Sequence, residues 1–129
     1  MRDLANNIGV ALALAPAVQS ATIKGNTVDT AGFGSMAFVI NTGAIAAAGD
    51  FTVKVQESDT TTDGDFTDAV ETDLTGDTLP ATLEADASYK VGYVGNKRYI
   101  RIVATKNGGT SVAIGAVAVK GHAENRPVA

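Results

Sequence analysis

The residues best placed to do chemistry lie in "DTTTDGDFTDAVE", positions 59–71. Clustered carboxylates suggest a calcium loop. An EF-hand loop needs acids or amides at its first, third and fifth positions, Gly at the sixth and Glu at the twelfth, so a Thr at the third is a poor substitute. Counting from Asp59, the third position is Thr61, the fifth Asp63 and the sixth Gly64. The twelfth is Val70, with Glu71 one place late, and no helical pattern flanks the loop. The simpler reading is an acidic turn whose Asp and Thr side chains bond the local backbone. His122 is the lone histidine and there is no cysteine, so no His/Cys metal set can be assembled and thiolate and disulfide chemistry are excluded.

Nucleophilic catalysis fares no better. No Gly-x-Ser-x-Gly occurs, and the one histidine sits near the C-terminal end, which speaks against a Ser-His-acid triad. "GYVGNK" (92–97) lacks the Gly-Lys-Ser/Thr ending of a phosphate loop. A carboxylate pair for glycoside hydrolysis would call for aromatic sugar platforms, and the chain has no Trp. The sequence assigns no catalytic, cofactor-binding or metal residue and predicts a protein that is not an enzyme and uses no cofactor.

One cluster remains. Lys97, Arg98, Tyr99 and Arg101 interleave basic residues with an aromatic, as single-stranded nucleic-acid binders do. Net charge is −4, however, which predicts no nucleic-acid partner. The charge is segregated. Residues 50–88 hold eleven acids against Lys54 alone, and residues 89–129 hold seven bases against Glu124 alone. Two uses follow: pairing within the chain, or complementary patches for contacts between copies or with another protein.

The elements that position these residues read as strands. With 129 residues the chain fits one domain with a modest core. "FTVKVQES" alternates, with Phe51, Val53 and Val55 on one face. Met36 to Ile40 is a compact apolar run. Thr22-Ile23 and Thr27-Val28 flank Gly25-Asn26 and suggest a hairpin. "DFTDAV" and "ATLEA" (81–85) are shorter strand candidates. Residues 98–105 form a strand with Ile100, Ile102 and Ala104 on one side. Asn107-Gly108-Gly109 is a turn, and "SVAIGAVAVK" (111–120) a return strand apolar on both faces, which predicts cover on both sides, by other parts of the fold or by another subunit. Gly115 there permits a bend or a close backbone approach. About seven short strands at this spacing predict an all-β, antiparallel β-sandwich or jelly roll in a single domain over 1–129.

Residues 1–20 are read as an N-terminal arm or first strand. The apolar run 8–15 is too short to span a bilayer, and Asp3 cancels Arg2, so the segment is read as part of the mature protein rather than a signal peptide. A short helix capped by Asn6 or Asn7 is the alternative to a strand ending at Pro16. No membrane partner is predicted. Residues 121–129 are read as a polar C-terminal tail, frayed or paired with a neighbour.

Four segments, "DLANNI…LAPAV", "DFTVKVQESDTTTDGDFTD", "YKVGYVGNKRYIRIVATKN" and "VKGHAENRPVA", together resemble a family of small virion proteins of tailed bacteriophages encoded beside the major capsid protein. The likeness runs over nearly the whole chain. Ala123 stands where the family pattern has Pro after Gly-His. The resemblance implies a capsid decoration or cement protein on the capsid surface of the virion. Its implied partners are the major capsid protein and further copies of itself, as a trimer. Within that expectation Val112, Ile114, Val117 and Val119 are assigned to the core or a subunit seam. Lys97, Arg98 and Arg101 are assigned to charged contacts with a neighbour, and the 59–77 loop is left exposed. The alternatives are a tail or head–tail connector component and a carbohydrate-binding module on the virion surface.

Overall fold

The computed structural model describes residues 1–77, 79–80 and 82–128. Ten strands follow in order: β1 (Gly9–Gln19), β2 (Ile23–Lys24), β3 (Val28–Asp29), β4 (Phe33–Ala46), β5 (Asp50–Ser58), β6 (Thr67–Asp68), β7 (Leu74–Gly76), β8 (Ser88–Tyr93), β9 (Tyr99–Gly108) and β10 (Ser111–Ala123). Single 3-10 turns occur at Ala5–Asn7, Asp63–Asp65 and Glu71–Asp73.

The strands form two antiparallel sheets. One runs β1-β10-β4-β8-β7 and the other β2-β9-β5-β6, with β3 also paired to β9. Because β2 and β3 follow one another along the same edge of β9, they act as one interrupted strand. The first strand then lies beside the last, and the second beside the penultimate, in facing sheets. That order is the jelly-roll form of the sandwich.

Period-two alternation builds the core between the sheets. Met36, Phe38 and Ile40 of β4 and Val112, Ile114, Ala116 and Ala118 of β10 point inward from one sheet. Phe51, Val53 and Val55 of β5 and Ile100, Ile102 and Ala104 of β9 meet them from the other. Full burial of each large side chain stabilises by about 1.5–3 kcal/mol.

The structure corrects several expectations. The 22–28 segment is not a hairpin. Ile23 faces Ala104 and Val28 faces Ile100, so both short strands pair with β9 rather than with each other. Gly25 N donates to Ile102 O and Asn26 N to Ala13 O, which makes the Gly-Asn pair a bulge bridging β9 and β1. The expected 107–109 turn falls later: Asn107 and Gly108 end β9, and the chain bends at Gly109 and Thr110, with Gly109 at φ +69°. A Cβ there would fall 2.2 Å from the Ala48 carbonyl oxygen. It does not return β10 along β9, however. β9 pairs with β5 and β10 with β4, so the turn carries the chain across the sandwich. Only in facing sheets can the apolar rows of both strands cover each other.

Strand β1 runs past Pro16, which sits at a register irregularity between Leu14 and Ala17 on a sheet-edge strand, where a missing N–H is tolerated. Residues 82–85 are not a strand, and Ala81 lies outside the described residues. Leu83 is instead a buried loop residue whose N–H donates to Phe51 O. Residues 121–123 belong to β10 rather than to a tail. Beyond them Glu124 N donates to Gly32 O and Val128 N to Asn6 O, so the C-terminal segment pairs with its own chain.

Candidate functional site

The residues assigned from sequence to charged contacts are engaged within the chain. Lys97 Nζ lies 2.8 Å from Asp59. Arg98 forks onto Asp29, with Nε and Nη2 each 2.9 Å from a carboxylate oxygen. Arg101 is buried, donates to Gln56 Oε1 and to Asp63 Oδ1, and lies 4.1 Å over the Phe66 ring. That side chain cannot serve a neighbour, and its assignment to an external contact is overturned. Lys24 pairs with Asp63 and Lys54 with Asp68. The acidic 59–77 segment is therefore not a bare loop. It folds over β5 and β9, its Asp59, Asp63 and Asp68 facing cations and Phe66 buried. Among the described residues no three acidic, His or Cys side chains gather as a metal site.

These pairs set the electrostatics of the face. The Arg98 fork, first, and the Ala31 N–H, second, hold the Asp29 carboxyl down at about 2. Asp63 is lowered by its hydrogen bonds from Lys24 and Arg101, and Asp68 by those from Gln56 and Lys54. Arg98 and Lys97 are raised by their carboxylate partners. Tyr93 donates to Glu57 and accepts from Lys97 N. Burial, followed by the Glu57 carboxylate, pushes its phenol up to about 12.

All five ion pairs of the described residues lie on the β9 sheet or its loops. The opposite sheet has a different outer surface. β1 and β4 contain no charged residue, and β10 only Lys120. Across them Val10 pairs with Val119 and Leu12 with Val117, while Val39 and Ala37 of β4 face Val117 and Val119. Val10 and Val18 are 68% and 69% exposed, Leu12 49% and Val117 38%. Of the four β10 residues singled out in sequence, Val112 and Ile114 belong to the core. Val117 and Val119 belong to this open face. Within the chain β10 is covered on one side, by the opposing sheet, and its outer side is open.

The face deepens into a groove of about 430 Å³ at its far end. Pro16, Val18, Asn41, Ala113, Gly115 and Val117 line it. Gly115 lets the strands approach closely there, since a Cβ would stand 3.0–3.1 Å from three Pro16 atoms and push Pro16 outward. Val10, Leu12 and Val18 were missed as surface residues because β1 was read only as a strand. The signal was available: residues 9–19 and 33–46 are free of charge in a chain with 24 charged side chains.

No family model matches the chain, and no curated protein matches it. Solved structures share its fold. The SPBc2 prophage-derived protein YomS aligns at a TM-score of 0.54 and 10% identity, over 88% of this chain and 93% of that one. A chain in the structure of infectious bursal disease virus, Gx strain, aligns at 0.51 and 14% identity, over 93% of this chain. This chain spans 34% of that longer one. At such identities the likeness is one of fold.

Proposed function

We propose that this protein is a virion structural component, a capsid decoration or cement subunit that docks on the assembled head through the outer face of the β1–β10–β4 sheet. The observation that carries the reading is the division of the molecule into an ion-paired face and an uncharged apolar one. Exposed ion pairs are individually weak and already satisfied. An apolar face left open on a monomer favours association. The two fold relatives named above come from a prophage and a virus, which supports a place in a virus particle.

Magnitudes favour multivalent docking. Burying Val10, Leu12, Val18 and Val117 would contribute roughly 1.5 kcal/mol each, about 6 kcal/mol together. Association costs about 4–15 kcal/mol in lost freedom and ordering. One contact is marginal at best. Several copies held together, as a trimer, engage several capsid subunits at once and gain ~10²–10⁴ in avidity where geometry allows. Those seats coexist only in the assembled shell, so binding shifts the balance toward it. The experiment is a cryo-EM reconstruction of the particle that contains the chain. A shell-wide copy number with the β1–β10 face against major capsid subunits supports the reading. A single small ring at the neck assigns the chain to the head–tail connector instead, and specific capture on a glycan array assigns it to host-surface sugars.

A further inference from the structure

A shallow, open depression of about 500 Å³ lies at the other end of the uncharged face, where the N-terminal turn crosses the ends of β10 and β4. Its lining includes Arg2, Asp3, Ser35, His122 and Arg126. Neither arginine has an ion-pair or hydrogen-bond partner among the described residues, unlike Arg98 and Arg101, whose guanidinium groups are held by acids. Ser35 Oγ and His122 Nδ1 are 2.8 Å apart. When the serine donates in that bond, the remaining ring proton sits on Nε2, which leaves the imidazole a free donor. Asp3 is the one acid in the lining. It is turned onto Asn6, accepting from the Asn6 backbone N–H at 3.3 Å and from Nδ2 at 2.7 Å. Two unpaired guanidinium groups against one satisfied carboxylate leave the corner positive in a chain that is negative as a whole.

From this geometry we infer that the corner is a carboxylate-binding site, with Arg2 and Arg126 as the clamp and Ser35-His122 as the adjoining donor pair. Guanidinium groups present donors in a fork that matches a carboxylate, and charge-assisted bonds of this kind are short and strong. The site adjoins the apolar row headed by Val10 and Val119. The partner it fits is a protein segment that bears an acidic side chain beside apolar residues. The identity of that partner rests on the docking reading above; the carboxylate site itself does not, and it is tested on the isolated protein.

The probe is succinate, titrated into isotope-labelled protein at low ionic strength and followed by amide NMR, with inorganic phosphate as a parallel arm. Saturable shifts at Ser35, Gly121 and His122 are expected, weakened at least about tenfold in R2Q/R126Q and unchanged in K90Q/K106Q. The control changes two lysines away from the corner whose side chains have no ion-pair partner among the described residues. Absence of saturation, equal affinity in R2Q/R126Q, or saturation by phosphate but not by succinate would each overturn the carboxylate assignment. A positive titration by a chain that is absent from particles would leave this site standing while removing the docking reading.

Discussion

Leu12 on β1 and Val117 on β10 stand opposite each other with both side chains open to solvent, while the next pair along the same two strands, Leu14 and Ala116, is sealed in the core. An irregularity in β1 between Leu12 and Leu14 separates the two environments. One pair of strands thus presents apolar residues in two directions: to the opposing sheet inside and to open surface outside.

This contrast sets the first prediction. Leu14→Ala leaves a void and should cost about 2–5 kcal/mol. Leu12→Ala removes a half-exposed side chain and should stay within about 0.5 kcal/mol of the parent. Urea denaturation of both variants measures the difference. Equal losses would place Leu12 in the core and remove it from the docking face.

The buried guanidinium gives the second. Arg101→Ala uncovers Phe66, leaves Gln56 Oε1 without its donor and strips Asp63 of one of two cations. It should cost roughly 1–3 kcal/mol. Arg98→Ala breaks an exposed, solvent-screened pair and should cost clearly less than Arg101→Ala. Thermal unfolding ranks the two; a larger loss for Arg98 would contradict the burial that separates them.

Asp29, Asp63 and Asp68 all have folded-state values below their ordinary ones. A depressed carboxyl binds fewer protons in the folded chain than in the unfolded one. Its contribution is therefore present above the unfolded value of about 4 and lost as pH falls. With Asp29 at about 2, the fall should run from pH about 4 down to about 2. Asp29→Asn should flatten part of that slope in acid unfolding curves, and an unaltered slope would deny Asp29 its role.

Tyr93 supplies the alkaline counterpart. Its folded value is pushed up to about 12, so the folded chain keeps a proton that the unfolded chain releases near about 10. Stability from this group is intact below that pH and declines as pH rises toward about 12. Tyrosinate absorbance should show one of the three tyrosines titrating late, and Tyr93→Phe should remove the late phase. Its survival in that variant would deny Tyr93 this role.

Much of the sandwich was legible because alternation carries it. Phe51-Val53-Val55 and Ile100-Ile102-Ala104 were placed on their faces by period two alone. Pairing was less legible. Gly25-Asn26 and Asn107-Gly108-Gly109 have turn chemistry, but local chemistry does not say whether a turn joins neighbours in one sheet or crosses between two. The basic cluster Lys97-Arg98-Arg101 was visible as charge. That each member had an acid waiting on Asp59, Asp29 or Asp63 depends on long-range register. Val10, Leu12 and Val18 were overlooked because an apolar run in sequence looks the same whether the fold covers it or leaves it open.

Occupancy on the particle tests the docking face most directly. Val10→Asp/Val117→Asp places two charges on it without touching the core, so the fold should survive with a melting temperature near that of the parent. Co-sedimentation with particles lacking the chain should show binding weakened at least about tenfold. Binding equal to the parent by a folded double variant would contradict the assignment of this face to the capsid.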